Sequence, residues 1–286
     1  MTSRALAAAC LALAGLGAAA CGGTPSSAAD AAPGPAARAP ENAAETAAAP
    51  VSTGAARAPK AETAPDKPLS GKVIVIDPGH NGGNYRDPAA VNKKVNVLTQ
   101  WKPCDTTGTS TDDGYSEAAF TWDVAKRMVK LLKAEGATVK LTRKDNTGVG
   151  PCITERAAIG NDAHADAAIS VHADGAPAGN RGFHVIMPKK IGGPVDPVVG
   201  ASKRLGLAVR EAFRDGTGLP YSTYIGKDAL DYRNDLGGLN LSTVPKVFIE
   251  TGNMRNPSDA ARLKDPAFRQ RIAQSLAEGL RSYLEP

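Results

Sequence analysis

The stretch from Thr24 to Ser70 restricts the fold more than any other feature of this sequence. Alanine and proline supply 25 of its 47 residues, 17 Ala and 8 Pro, and its only larger aliphatic residues are Val51 and Leu69. Such a segment cannot bury enough apolar surface to offset the entropy lost when a chain becomes ordered. We therefore expect residues 22–70 to form a flexible spacer and residues 71–286 to form a folded domain.

The first 21 residues have the composition of an export signal. Arg4 precedes an apolar run from Ala5 to Ala20, and three alanines come directly before Cys21. A basic start, a short apolar run and a small-residue exit are typical of a secretory signal peptide. Cys21 in this position also resembles a bacterial lipoprotein processing site. We therefore expect the chain to be exported to the cell envelope or the exterior. Two outcomes stay open: a membrane tether through Cys21, or free secretion.

The charge of the chain gives no support to nucleic-acid binding. Lys and Arg total 34 against 29 Asp and Glu, a formal net charge of +5. The first 70 residues hold five charges of each sign, so the whole excess lies on residues 71–286. This mild excess suits an anionic polymer, and an ordinary soluble surface explains it equally well. No apolar run of about 18 residues follows the N-terminal segment, which excludes a membrane transporter.

Apolar runs and helical periodicities alternate along the predicted domain. Short apolar runs rich in β-branched residues predict strands at 72–76, 137–142, 166–171, 182–187 and 246–249. Apolar residues at helical spacing predict helices at 116–135, 153–163, 194–213 and 267–284. This alternation predicts a single α/β domain, with a mostly parallel twisted sheet flanked by helices on both faces. Two long polar stretches, 81–113 and 221–243, interrupt the pattern, and loops of that length are usually functional or mobile.

Cys104 and Cys152 are the only cysteines in the predicted domain. In an exported protein, two such cysteines most often form a disulfide, which here would fix the first long polar stretch. The alternative is that one of them binds a metal, but the sequence has no CxxC spacing to favour it.

Two histidines and two carboxylates stand at positions that a parallel sheet brings together. His80 and His172 come at the ends of predicted strands, Glu250 ends another, and Glu117 lies in the first turn of a helix. Two His and one carboxylate form a common ligand set of catalytic zinc, with a fourth position open for water. A second carboxylate can accept a proton from that water and pass it to a leaving amine.

Each of these residues also has an ordinary explanation when taken alone. The histidines could be satisfied polar residues, Glu117 could complement the helix dipole, and Glu250 could form an ion pair at a strand end. Their convergence at one sheet edge is what favours a zinc site. Of the other two histidines, His184 lies among apolar residues within a predicted strand, which indicates a structural or pocket-wall role. His164 lies at a helix end, where a capping role suffices.

Three segments, in order, resemble the zinc-dependent N-acetylmuramoyl-L-alanine amidases (the amidase type 3 family). They are VIVIDPGHNG, ITERAAIGNDAHADAAISVHADG and VPKVFIETGNMRNPSD, and the resemblance extends over about residues 71–284. The cysteine pair and the long first loop resemble features of the compact mycobacterial members of this family, which lack separate wall-binding repeats.

The resemblance implies a set of roles for the four residues. His80, Glu117 and His172 would bind Zn²⁺, and Glu250 would be the catalytic carboxylate. The implied reaction is hydrolysis of the amide bond between N-acetylmuramic acid and L-alanine in peptidoglycan, by an enzyme that we expect to be a monomer.

Further residues receive lesser roles, some from the same resemblance and two from their place in a long loop. Arg156 and Asn161 match the helix motif of the family and would support the site. Asp174 replaces the Asn that commonly follows the second histidine in the family. Arg233 and Asn234 lie in the second long loop, where they could contact the stem peptide or its carboxylates.

Three other functions stay open at this point. A zinc carboxypeptidase acting on cell-wall peptides would use the same metal chemistry. A catalytically silent wall-binding module would bind peptidoglycan without cleaving it, although the four metal-site residues argue against it. A purely structural envelope lipoprotein is favoured only by the signal and the spacer.

Overall fold

Six strands form one sheet in the computed structural model, which describes residues 67–285. A separate two-stranded ribbon lies outside this sheet. Numbered along the chain, the strands are β1 (Val73–Pro78), β2 (Lys94–Asn96), β3 (Trp101–Pro103), β4 (Thr138–Leu141), β5 (Ala167–Asp174), β6 (His184–Pro188), β7 (Leu230–Arg233) and β8 (Lys246–Asn253).

The strand order across the sheet is β4-β1-β5-β8-β6-β7. The pairs β1–β4, β1–β5, β5–β8 and β6–β7 are parallel, and only β6–β8 is antiparallel. The predicted α/β domain with a mostly parallel sheet is therefore confirmed. The ribbon of β2 and β3 is antiparallel.

Helices connect these strands and cover both faces of the sheet. Longer helices lie in the segments where the sequence predicts them, and three short ones are new. The helices are α1 (Pro88–Asn92), α2 (Glu117–Ala134), α3 (Ile153–Asp162), α4 (Val199–Thr217), α5 (Gly237–Asn240), α6 (Pro257–Lys264) and α7 (Pro266–Leu284).

Alternation along the central strands separates the two faces of the sheet. Ile76, Ile169 and Ile249 point into the larger core, which α2, α4 and α7 cover. Val75 and Ala168 point the other way, into a smaller apolar cluster beside α3. The face toward α3 and α5 is therefore only partly filled by apolar side chains, which leaves room for polar residues.

The second helix shows how local sequence sets the ends of an element. The Ser116 side chain accepts a hydrogen bond from the backbone N–H of Ala119 and caps the helix. Its buried apolar residues recur every four positions, which produces one core-facing stripe: Phe120, Val124, Met128 and Leu132. Gly136 then takes a left-handed φ of 98° and ends the helix.

The two long polar stretches contain short elements that periodicity does not reveal. The first holds α1 and the ribbon of β2 and β3, and the second holds β7 and α5. These elements have three to five residues each, too few to show either a helical or an alternating pattern.

Leu69, which the sequence places in the spacer, lies in the larger core and is 0% exposed. Its backbone N–H donates to the carbonyl of Glu135 at 2.9 Å. The folded chain thus includes residues before the predicted boundary at Gly71, because the one large aliphatic residue nearby is buried. The predicted signal peptide, Cys21 and most of the spacer lie outside the described residues. None of the helices within 67–285 is long and apolar enough to cross a membrane.

Cys104 and Cys152 are joined by a disulfide, as predicted. The bond links the end of the ribbon to the residue before α3, and the backbone N–H of Ile153 donates to the Cys104 carbonyl at 2.8 Å. The first long polar stretch is thereby attached to the start of α3.

Candidate metal centre

The ends of β1 and β5 bring the two predicted metal-binding histidines together. Gly79, just after β1, donates its N–H to the Val171 carbonyl of β5 at 3.0 Å. His80 and His172 follow these two residues directly. Their imidazole rings stand edge to face, with centroids 4.8 Å apart and an interplanar angle of 83°.

Glu117 lies between the two histidines. Its Oε2 is 3.1 Å from His80 Nε2, and its Oε1 is 2.9 Å from His172 Nδ1. One ligand atom from each of the three residues lies within 4.8 Å of the other two. Among the residues that the structure describes, this is the one group of three acidic, histidine or cysteine side chains close enough to share a metal ion.

Backbone groups fix the orientation of the Glu117 carboxylate. The N–H of Thr109 donates to Oε2 at 2.9 Å, and the N–H of Ala173 donates to Oε1 at 3.2 Å. Thr109 also accepts a hydrogen bond from the Glu117 backbone at 2.9 Å. The carboxylate is therefore held from the loop before α2 and from β5, as expected of a preorganised ligand.

Close packing around the histidines requires a glycine before His80. A Cβ on Gly79 would lie 2.1 Å from Cε1 of His172, far inside van der Waals contact. His80 itself adopts a left-handed φ of 59°, which is uncommon for a residue with a side chain. The strained turn after β1 thus directs His80 toward the other two residues.

The second ring nitrogen of His80 has its own partners. Nδ1 lies 3.1 Å from both the carbonyl and the hydroxyl oxygen of Thr106, and 3.6 Å from Oδ1 of Asp105. Partners of this kind set the ring orientation of metal-binding histidines in proteins. Asp105 follows Cys104, so the disulfide restrains the segment that supports His80.

A buried ionic network connects this segment to the sheet. Arg156 pairs with Asp105 at 3.2 Å and with Asp77 at 2.7 Å. Asp77 also accepts a hydrogen bond from Ser170 at 2.7 Å and lies 3.4 Å from Nζ of Lys246. Two cations and two anions therefore neutralise one another beneath the candidate site.

Of the two residues from the helix motif, Arg156 belongs to this network and Asn161 lies outside it. Burial by itself raises the pKa of Asp77, but Lys246 and Arg156 together hold it well below its usual range. Asn161 accepts a hydrogen bond from the N–H of Thr243 at 2.8 Å and donates to the Leu241 carbonyl at 2.9 Å. Arg156 lies under the site, and Asn161 joins α3 to the segment before β8.

The electrostatics of the three candidate ligands favour a cation among them. Burial lowers the pKa of His80, but the carboxylates of Glu117 and Asp105 raise it to about 10. Burial raises the pKa of Glu117, yet the two histidines hold it well below its usual range. Burial lowers the pKa of His172 despite its bond to Glu117. Two imidazoles and one carboxylate anion, prearranged and mostly buried, fit a divalent cation such as zinc.

Glu250 shares a cavity with the three candidate ligands. It lies opposite His172 in the β5–β8 register and lines a cavity of about 270 Å³, together with His80, Glu117 and His172. Its Oε2 is buried without a hydrogen-bond partner among residues 67–285. Burial, followed by the charges of Glu117 and Asp174, raises its pKa well above 4.5. The structure thus brings all four predicted site residues to one place.

Other residues from the sequence analysis lie around this cavity. Arg233 forms an ion pair with Asp235 at 2.6 Å, and Asp235 also pairs with Lys102 at 3.1 Å. The carbonyl of Asn234 accepts a hydrogen bond from the hydroxyl of Thr99 at 2.6 Å. The second long loop is therefore bound to the ribbon at the cavity rim.

The remaining two histidines differ in their surroundings. His164 is exposed at the end of α3, as the sequence predicts, and has a left-handed φ of 46°. His184 is buried and lies opposite Glu250 in the antiparallel pair of β6 and β8. Sequence reasoning missed this proximity because no local signal shows that β6 runs against its neighbour.

Residues 74–282 match the sequence profile of the family described as N-acetylmuramoyl-L-alanine amidase. This match covers the sheet except for its first residue, Val73, and includes all four site residues. The chain belongs to the N-acetylmuramoyl-L-alanine amidase family. The resemblance of the three sequence segments is thereby confirmed.

Mycobacterial members of the amidase family are similar to this chain in sequence and structure. The N-acetylmuramoyl-L-alanine amidase Rv3717 of Mycobacterium tuberculosis is 38% identical over 218 residues, which cover 76% of this chain and 88% of that protein. The crystal structure of the amidase Ami1 from Mycobacterium smegmatis matches with a TM-score of 0.71 and 38% identity, covering 76% of this chain and 98% of that one. The apo form of Ami1 from Mycobacterium abscessus matches with a TM-score of 0.71 and 40% identity, covering 76% and 100%.

Proposed function

We propose that this chain is a zinc-dependent hydrolase that cleaves the amide bond between N-acetylmuramic acid and L-alanine in peptidoglycan. Its membership of the amidase family supports this reaction, and so do the relatives named for it. The observation that carries the proposal is the meeting of His80, Glu117, His172 and Glu250 in one cavity.

In this proposal, His80, Glu117 and His172 hold the zinc ion. A bound zinc ion supplies a Lewis acid and lowers the pKa of water to about 7. The hydrogen bonds of Glu117 to backbone N–H groups and the contacts of His80 with Thr106 orient these donors before the metal arrives. The buried pair of Arg156 and Asp77 supports the loops from below.

Glu250 performs the proton transfers of the proposed reaction. Its carboxylate takes a proton from the attacking water and returns it to the departing nitrogen of L-alanine. Its register opposite His172, one of the proposed metal ligands, and its position on the cavity wall support this role. Bond cleavage yields a glycan that lacks the peptide and a peptide with a free N-terminal L-alanine.

We also propose that the chain is exported and acts on the cell wall as a monomer. The export signal predicted for residues 1–21 supports secretion, and Cys21 offers a site for a lipid anchor. A flexible coil of the 43 residues 24–66 would have a root-mean-square reach of roughly 33–39 Å, enough to separate the domain from a membrane surface. Radiolabelled fatty acid that is incorporated into the wild type but not into Cys21→Ser would support the tether.

Digestion of purified muropeptides tests the reaction. The zinc-loaded domain should release peptides with a new N-terminal L-alanine, and a chelator should stop the release. A carboxypeptidase would instead free a terminal amino acid, and a silent wall-binding module would bind the polymer without forming any product. Mass spectrometry of the products separates these three outcomes.

A further inference from the structure

His184 completes a row of three polar side chains across the sheet. His172 lies opposite Glu250 in the β5–β8 pair, and His184 lies opposite the same Glu250 in the β6–β8 pair. Val185 and Ile249, the neighbours along these strands, point into the larger core, so His184 and Glu250 share the other face. Directly opposed residues of antiparallel strands have Cβ atoms about 4.5–5.5 Å apart. His184 is therefore adjacent to Glu250 on the face of the candidate site.

Both side chains bury a polar atom that lacks a partner. Within residues 67–285, neither Nδ1 of His184 nor Oε2 of Glu250 has a hydrogen bond, and His184 is only 1% exposed. Unpartnered buried polar atoms are destabilising, and few occur in native proteins. The two atoms do not bond to each other directly. Because they belong to directly opposed residues, one buried water that bridges them would explain both.

Tyr224 restrains the imidazole of His184 from another side. The two rings are nearly perpendicular, at 88°, with centroids 5.9 Å apart. The Tyr224 hydroxyl donates to Oδ2 of Asp174 at 2.8 Å, and Asp174 lies on β5 two residues beyond His172. Burial lowers the pKa of His184, so the ring is neutral near pH 7 and has one N–H to donate.

We propose that His184 is a positioning residue for Glu250. Its Nδ1–H donates to one buried water, which in turn donates to Oε2 of Glu250 and so turns the other carboxylate oxygen toward the scissile amide. This inference rests on the proposed amidase function, in which Glu250 transfers the protons. A carboxylate without this bond rotates about its side-chain torsions, and misplacement of a proton-transfer group by about 1 Å can cost 10²-fold in rate.

Three substitutions separate a hydrogen bond at Nδ1 from mere filling of space. His184→Asn places a side-chain amide near the position of Nδ1, His184→Gln places it near that of Nε2, and His184→Leu removes the polar atoms. The Leu and Gln variants should lower kcat on muropeptides by about 10–100-fold with KM within about twofold, while Asn keeps most of the activity. Zinc per chain should stay equal to that of the wild type. A His184→Leu enzyme with wild-type kcat, or equal activity of the Asn and Gln variants, would overturn the proposal.

A double-mutant cycle on the metal-free protein tests the same contact without turnover. His184→Leu and Glu250→Ala each shift the denaturation midpoint, and their combined shift should differ from the sum if the side chains are joined. Additive shifts would refute the contact. If His184→Leu does not fold, His184→Gln, which has no polar group at the Nδ1 position, replaces it in the cycle. Failure of the amidase function has another signature: the zinc-loaded wild type would release no peptide, while the coupling in the metal-free protein would persist.

Discussion

Arg156 forms an ion pair with Asp77 at 2.7 Å, although the two residues are 79 positions apart in the sequence. Both side chains are almost completely buried, and the guanidinium also donates to the carbonyls of Pro78 and His80. One side chain thus holds the end of β1 and the turn that carries a candidate metal ligand.

Loss of this arginine should destabilise the domain strongly. Arg156→Ala leaves the Asp77 carboxylate buried with one cation fewer, and breaking a buried ion pair in this way costs about 3–5 kcal/mol. Arg127→Ala is the matched control, because its pair with Asp123 is partly exposed and should contribute no more than about 1 kcal/mol. Urea unfolding monitored by circular dichroism measures both free energies. Equal losses in the two variants would contradict the assigned role of the network.

Acid should weaken the same network in a defined direction. The folded-state pKa of Asp77 lies below its ordinary value of 3.8, so its contribution to stability is present above about pH 4 and is lost as the pH falls further. Asp77→Asn should be less stable than the wild type at pH 7, and its stability should depend less on pH below 4. Urea midpoints measured between pH 7 and pH 2 test this. Parallel pH profiles for the two proteins would show that Asp77 does not cause the acid sensitivity.

Removal of one imidazole should abolish stable metal binding. His172→Ala leaves only two of the three donors, so zinc per chain should fall from about one to well below half after dialysis against metal-free buffer. His164→Ala is the matched control, because that histidine is exposed at the end of α3. Elemental analysis gives the metal content of both variants. One zinc per chain in His172→Ala would mean that the ligand set is wrong.

Glu250→Gln should separate metal binding from catalysis. The amide keeps the size of the side chain but accepts no proton, so zinc content should stay near one per chain while peptide release falls by about 10²–10⁴-fold. Glu278→Gln, at an exposed pair with Arg281 on α7, is the control and should retain full activity. Chromatography of digested muropeptides measures release. Undiminished turnover in Glu250→Gln would assign the proton transfers to another group.

Reduction of the disulfide should lower the free energy of unfolding by an amount set by the length of the loop between the two cysteines. Cys104 and Cys152 are 48 positions apart, and the chain-entropy relation then gives about 4 kcal/mol. Unfolding of the domain with and without a reductant measures this difference. The Cys104→Ser/Cys152→Ser double variant should match the reduced protein and should no longer respond to the reductant. A wild-type midpoint that the reductant leaves unchanged would contradict the prediction.

The sequence is sufficient to predict the part of the site that depends on strand ends. His80, His172 and Glu250 each follow an apolar run, and parallel strands bring such ends to one edge. The neighbourhood of His184 is different, because it depends on the antiparallel insertion of β6 between β7 and β8. That pairing joins segments that are distant in the sequence. An isolated apolar run does not show whether its strand runs parallel or antiparallel to the neighbouring strands.

The ribbon of β2 and β3 is unpredictable for a related reason. Its strands have three residues each, and contacts from elsewhere hold it in place. Nδ2 of Asn240 donates to the Val97 carbonyl at 2.8 Å, and Lys102 pairs with Asp235. Elements this short acquire their conformation from partners far along the chain, so local composition shows only a polar loop.

Glu117 is the first residue of α2, so one candidate ligand belongs to the terminal turn of a helix. The two histidines belong to the central sheet, because His80 follows β1 and His172 lies near the end of β5. Helix termini open far more often than central strands do. Release of a bound ion would therefore require only fraying of that turn and not disruption of the sheet. The dissociation rate of the metal would then report how often the first turn of α2 opens while the rest of the domain stays folded.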